Sequence, residues 1–223
     1  MSRCWSKKNW PPPLDGEGWG EVITRRSCRS DSARLFKCLS LISINFIVTL
    51  MNTNISSIPT SSLSTSDLCD VHKADTSGDF RVLPPIFPSF GGHAKFSGVV
   101  STVKCFEDNT SVKQALDEPG AGRVLVVDGA ASMRRALVGG NIAAAAAKNG
   151  WAGVLINGCV RDAVELAATP LGIRALALMP MPTLRRAAGE RDVAVQIQGV
   201  LVRPGDWLCA DLDGIVVSAH PPA

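Results

Sequence analysis

Tyrosine is absent from this chain of 223 residues, aromatic residues make up only 5%, and histidine occurs three times. A core here has to be built from small aliphatics, with Gly, Ala and Val in good supply. The hydrophobic share of 46% is far from the composition of a disordered chain. Seven cysteines are present, yet no two form a CxxC pair, which argues against zinc knuckles and thioredoxin-like chemistry. An odd number at wide spacing suits reduced thiols, and so a cytoplasmic protein. Cys105 and Cys159 lie in apolar surroundings and read as small core residues.

Long apolar runs are also missing. Residues 39–50 (LSLISINFIVTL) form a mostly apolar stretch of twelve, short of the roughly 20 residues that span a bilayer. The run starts too late for a signal h-region, and no small-x-small cleavage site follows it. No membrane association is expected. A basic face is missing too. The net charge of +3 arises in residues 1–50, which hold eight Lys/Arg against four Asp/Glu; the remainder holds fifteen against sixteen. No nucleic-acid partner is therefore expected for the folded part.

Residues 1–50 are unlike the rest. They hold three of the five tryptophans (Trp5, Trp10, Trp19) and the Pro11-Pro12-Pro13 run, with no period of 2 or 3.6. Met51 opens a Ser/Thr-rich stretch that resembles an ordinary flexible N-terminus. The reading adopted is that 1–50 is a disordered or spurious extension upstream of a start at Met51. A targeting peptide is the rival, disfavoured by the missing amphipathic pattern. Residues 51–64 then form a flexible segment and 65–223 the domain.

Within that domain the patterns predict a helix over 67–73 capped by Thr65 or Ser66. Proline-rich residues 81–90 should be extended loop. A strand over 96–104, a helix over 111–116 and a turn over 119–122 follow. Residues 124–127 are a continuous apolar run, the pattern of a strand buried on both faces. Residues 141–148 (NIAAAAAK) are strongly helix-forming, with Gly150 placed to end the helix. A second buried strand covers 154–156, so a β-loop-α-β unit should cross over right-handed into a parallel pair. A short helix over 162–167 and a strand over 173–178 come next, and the C-terminal third is mostly β.

Such units carry their ligand loops beyond the carboxyl ends of the strands, here residues 128–141 and 157–162. Gly139-Gly140 immediately precedes a helix, where a close backbone approach and free N–H groups suit an anion. On its own a double glycine in that place is more often a tight turn. Arg161, Asp162 and Glu165 are open to a similar reading, since an acid in a first helical turn usually serves the helix dipole. Convergence of the two loops raises their interest. Neither loop holds a lysine, which argues against Schiff-base chemistry, and Lys148 sits at the far end of the helix. His72, His93 and His220 lie outside both loops, so none is a good general base.

Residues 96–109 (FSGVVSTVKCFEDN), 122–143 (GRVLVVDGAASMRRALVGGNIA) and 149–162 (NGWAGVLINGCVRD) closely resemble the RraA-like family. That group includes 4-hydroxy-4-methyl-2-oxoglutarate aldolases and the regulator of ribonuclease activity A. The resemblance runs from about Thr65 to Ser218 and does not touch residues 1–50. The family signature of a Gly, twenty residues, Arg-Asp, two residues and an acid is matched by Gly140, Arg161-Asp162 and Glu165.

The resemblance implies an α/β, three-layer β/β/α swivelling-type domain and a homotrimer. It implies a class II pyruvate aldolase that cleaves 4-hydroxy-4-methyl-2-oxoglutarate to two pyruvates, with oxaloacetate decarboxylation as a second activity. Asp162 would hold a divalent metal, Mg²⁺ or Mn²⁺, with Glu165 beside it. Arg161 and the backbone of Gly139, Gly140, Asn141 and Ile142 would bind the pyruvyl group, Arg161 and Asp162 acting as catalytic residues. A water on the metal, or a carboxylate from an adjacent subunit, would serve as base ahead of any histidine. The alternative is a non-catalytic regulator that binds and inhibits a ribonuclease. A phosphotransfer role, suggested by the fold shared with phosphohistidine domains, would need a loop histidine and finds none. Residues 180–186 (PMPTLRR) depart from the family pattern, which leaves the neighbouring substrate contacts open.

Overall fold

The computed structural model describes residues 64–186 and 189–222. The expectations for residues 1–50 and, Ser64 apart, for 51–64 lie outside the described residues.

Helix α1 (Thr65–His72) starts two residues earlier than expected, and Ser64 caps it in place of Thr65 or Ser66. Ser64 Oγ accepts the Asp67 N–H at 3.1 Å while Asp67 Oδ2 accepts the Ser64 N–H at 3.0 Å, a reciprocal capping box. Thr65 is committed elsewhere: its N–H and hydroxyl donate to the buried Asp211 carboxylate at 2.7 and 2.6 Å. The proline-rich stretch is not loop throughout. Its first residues form β1 (Phe80–Val82), which completes a ladder with β11 (Ile215–Ser218). Here the pairing partner is distant in sequence, so no local pattern announced it.

Four strands lie side by side and parallel in the order β2 (Phe96–Lys104), β3 (Val124–Asp128), β5 (Gly153–Val160) and β6 (Gly172–Leu178). A short β4 (Ala136–Val138) runs along β5 beyond the end of β3. Helices α2 (Thr110–Asp117), α3 (Gly140–Lys148) and α4 (Ala163–Ala168) fill the crossovers. The expected parallel pair is thus β3 and β5. Two loop boundaries need correction: β4 lies inside the presumed loop 128–141, and β5 continues through 157–160. Asn157 is therefore a buried strand residue. Its side chain donates to Asp128 Oδ1 at 3.1 Å and accepts from Gln198 Nε2 at 2.9 Å, which makes a polar pair tolerable inside a strand.

The antiparallel strands β10 (Trp207–Ala210), β11 and β1 extend the sheet from the N-terminal half of β2, and β7 (Glu190–Arg191) pairs with its far end. A separate hairpin, β8 (Val195–Ile197) with β9 (Val200–Val202), turns at Gln198-Gly199, both at positive φ, as the right-handed strand twist demands of a two-residue turn.

Alternation in β3 divides the core. Leu125 and Val127 face the helices with Leu116, Ala143, Ala146 and Leu166. Val124 and Val126 face the opposite side with Val195, Ile197, Val202 and Leu208. The result is three layers, helices on sheet on hairpin, a β/β/α arrangement. The alanines of α3 bury Ala143 and Ala146 completely; small side chains let this helix sit close to the sheet. Cys105 and Cys159 are buried and unpaired, and burial pushes the Cys105 thiol up to about 12. No described helix is long and apolar enough to cross a membrane.

Candidate active site

Parallel strands end on the same edge, and that edge carries a hollow of about 290 Å³. Each wall comes from the chain just past one strand. Asn109 follows β2, Gly139, Asn141 and Ile142 follow β4, and Arg161 and Asp162 follow β5. Pro182, Thr183 and Arg185 follow β6, and Ala136 of β4 lies at the base. Among the described residues, no histidine or lysine lines it.

The two segments singled out in the sequence meet here. Asp162 Oδ2 accepts the Gly140 N–H at 3.0 Å, and Arg161 Nε stands 3.5 Å from the same oxygen. The contact depends on both glycines. A Cβ at Gly139 would lie 2.6 Å from Asp162 Oδ2 and 3.1 Å from Arg161 Nε; one at Gly140 would lie 1.7 Å from Glu165 Oε2. Both carboxylates therefore press on one two-glycine turn. Glu165 belongs to α4 and is not among the residues lining the hollow itself.

Asp162 holds a left-handed backbone, φ 64° and ψ 50°, a region that costs most L-residues about 1–2 kcal/mol and that Asp and Asn tolerate best. It is the N-cap residue of α4, yet its side chain makes no capping hydrogen bond there. Instead the strained turn aims its carboxylate back at the start of α3. Strain retained next to a hollow is a common mark of a working site.

The backbone cradle is narrower than the glycines suggested. The Gly140 N–H is taken by Asp162, and the Ile142 N–H is taken by the Gly139 carbonyl at 3.1 Å. Among the described residues, the Asn141 N–H is the helix-start donor left without an acceptor. Sequence reasoning also missed a wall. Residues 180–186 were left open, yet Pro182, Thr183 and Arg185 close one side of the hollow. Asn109 was overlooked as well. Only the parallel order of β2 and β6 around β3 and β5 could have drawn attention to them.

Among the described residues, no three or more His, Cys, Asp or Glu side chains gather as a metal cage. Asp162 and Glu165, which both lie against the Gly139-Gly140 turn, could offer two carboxylates to a cation. This does not suit a closed tetrahedral zinc site, but it suits a hard cation that keeps several waters.

These features define the class: a three-layer β/β/α protein with a polar, glycine-floored hollow at the carboxyl edge of its parallel strands. The chain belongs to the RraA-like family (Aldolase/RraA), whose profile matches residues 65–217. A protein of Albidiferax ferrireducens named "Putative 4-hydroxy-4-methyl-2-oxoglutarate aldolase" is 63% identical over 168 residues, covering 72% of this chain and 97% of that protein. The solved structure of the RNA-processing inhibitor RraA from Thermus thermophilis is 45% identical, with a TM-score of 0.68. That match covers 72% of this chain and 95% of the other. A solved structure from Geobacillus kaustophilus, described as S-adenosylmethionine: 2-dimethylmenaquinone methyltransferase, is 42% identical with a TM-score of 0.67, covering 71% and 96%.

Proposed function

We propose that this chain is a carbon–carbon lyase, a divalent-metal-dependent pyruvate aldolase that cleaves 4-hydroxy-4-methyl-2-oxoglutarate into two pyruvates. The observation that carries this reading is the contact of the Gly139-Gly140 turn with Arg161 and Asp162 at the floor of one hollow. The names borne by relatives such as the Albidiferax protein support it.

The chemistry requires little more than those groups. The C3–C4 bond of the substrate breaks as the C4 hydroxyl gives up its proton, and C4 becomes the keto carbon of the first pyruvate. The bonding pair passes to the second fragment, whose keto oxygen takes up negative charge until C3 is protonated. Arg161 offers a planar donor fork to the pyruvyl carboxylate and to that oxygen, and the Asn141 N–H offers one more donor beside them. Asp162 and Glu165 would hold Mg²⁺ or Mn²⁺, which supplies Lewis-acid polarisation of the keto group when bound. Oxaloacetate loses its carboxylate through the same charge development, so decarboxylation is a second activity of the same residues. A homotrimeric cytoplasmic enzyme completes the proposal.

The test is pyruvate release by the purified protein, with Mg²⁺ and then with EDTA. Metal-dependent turnover supports the reading. The Thermus thermophilis structure, described as an RNA-processing inhibitor, favours one competitor: a non-catalytic regulator. Metal-independent inhibition of a ribonuclease with no lyase turnover would put that reading first.

A further inference from the structure

Two arginines from separate segments of the chain line the hollow, and the reaction outlined above uses only one. Arg161 sits on the floor beside Asp162, while Arg185 comes from the segment after β6. Among the described residues no ion pair or hydrogen bond engages the Arg185 side chain. An arginine without a carboxylate, placed in the lining of a polar hollow, offers a donor fork to an incoming anion.

Its backbone is held in place. The Met179 N–H donates to the Val160 carbonyl at 2.9 Å, and the Ala136 N–H to the Met181 carbonyl at 2.8 Å. Arg135 Nη1 donates to the Pro182 carbonyl at 2.9 Å. The Arg186 N–H, one residue beyond, donates to the buried Asp108 carboxylate. Four fastenings on both sides of Arg185 fix the segment against β4, β5 and the start of α2. Arg185 therefore enters the hollow from an anchored support, and this removes much of the ordering cost of a bound contact.

Resting on the lyase reading, we infer that Arg185 is the specificity-determining residue that receives the far carboxylate of a dicarboxylic 2-oxo acid, opposite the pyruvyl end held at Arg161. Among the described residues, Asp162 is the only acidic one in the lining. The remaining polar side chains of the lining, Asn109, Asn141 and Thr183, carry no charge.

Direct binding tests this apart from turnover. In Mg²⁺ buffer, calorimetry compares 2-oxoglutarate with 2-oxopentanoate, which carries a methyl in place of the far carboxylate. Wild type is expected to prefer 2-oxoglutarate. Arg185→Ala should weaken 2-oxoglutarate roughly 10- to 100-fold, the range of a charge-assisted hydrogen bond, and leave 2-oxopentanoate unchanged. Arg185→Lys should retain part of the preference. Equal weakening of both acids, or of neither, overturns the assignment, as does a wild type that binds neither. If wild type binds with the expected preference but releases no pyruvate from 4-hydroxy-4-methyl-2-oxoglutarate, the lyase reading fails while the role of Arg185 stands.

Discussion

The carboxylate of Asp162 lies 3.0 Å from the backbone nitrogen of Gly140, twenty-two residues earlier in the chain. One side chain thus joins the start of α3 to the turn after β5, and does so from a left-handed backbone that most residues resist. Asp162 both ties the floor of the hollow together and presents a charge to it.

Those two roles separate in variants. Asp162→Asn keeps an oxygen for the Gly140 N–H and a residue that tolerates the left-handed turn. Its melting temperature should match wild type, while pyruvate release falls roughly 10²–10³-fold, the scale of losing a group that stabilises developing charge. Asp162→Ala should lose the same activity and about 1 kcal/mol of stability as well. Wild-type turnover by the Asn variant would remove Asp162 from the chemistry.

Gly140 should report on Glu165. A Cβ there meets Glu165 Oε2 at 1.7 Å and the Glu165 Cβ at 2.9 Å, so Gly140→Ala must push that side chain aside, costing about 1–3 kcal/mol. In a Glu165→Ala background most of the clash is gone, and the same substitution should cost clearly less. Additive unfolding energies across this double-mutant cycle would show that the two residues do not touch.

Gly172 tests the packing beneath the sheet. A Cβ at Gly172 would come within 2.0 Å of Phe96 Cδ1, and one at Gly153 within 2.3 Å of the same ring. Both positions are buried, so Gly172→Ala should destabilise by about 1–3 kcal/mol in denaturant unfolding. Gly214→Ala serves as the control. It has open space around it and no left-handed backbone, and it should stay within about 0.5 kcal/mol of wild type.

Asp211 sets an acid limit. Burial, the largest influence, would raise its pKa, but hydrogen bonds from Thr65, Asp213 and Gly214 together outweigh burial and hold it below the ordinary 3.8. A carboxylate lowered in the folded state contributes stability above its unfolded value and loses it as pH falls through the folded one. Asp211→Asn should cost about 1–3 kcal/mol near neutral pH, with the gap to wild type closing below about pH 4. A gap that persists unchanged in acid would show that the charge of Asp211 is not what matters.

Much of this protein was readable from local pattern. The unbroken apolar run at 124–127, the alanine-rich stretch before Gly150 and the alternation over 96–104 each depend only on near neighbours, and each element formed where expected. The Gly140, Arg161-Asp162, Glu165 spacing also pointed to residues that meet in space. Strand glycines were harder to place. Gly153 and Gly172 sit in buried strands where the ring of Phe96, distant in sequence, occupies the space their missing side chains leave.

The sequence by itself determined the main helices, the long strands and the parallel crossover, because periodicity, helix propensity and buried runs act over a few residues. Only the tertiary structure decided which donors remain for a ligand. Asp162 claims one N–H of the glycine turn and Gly139 another, and the segment after β6 brings Arg185 into the lining of the same hollow. Those outcomes depend on how far-separated strand ends stack on one edge, a matter of packing that no window of neighbouring residues encodes.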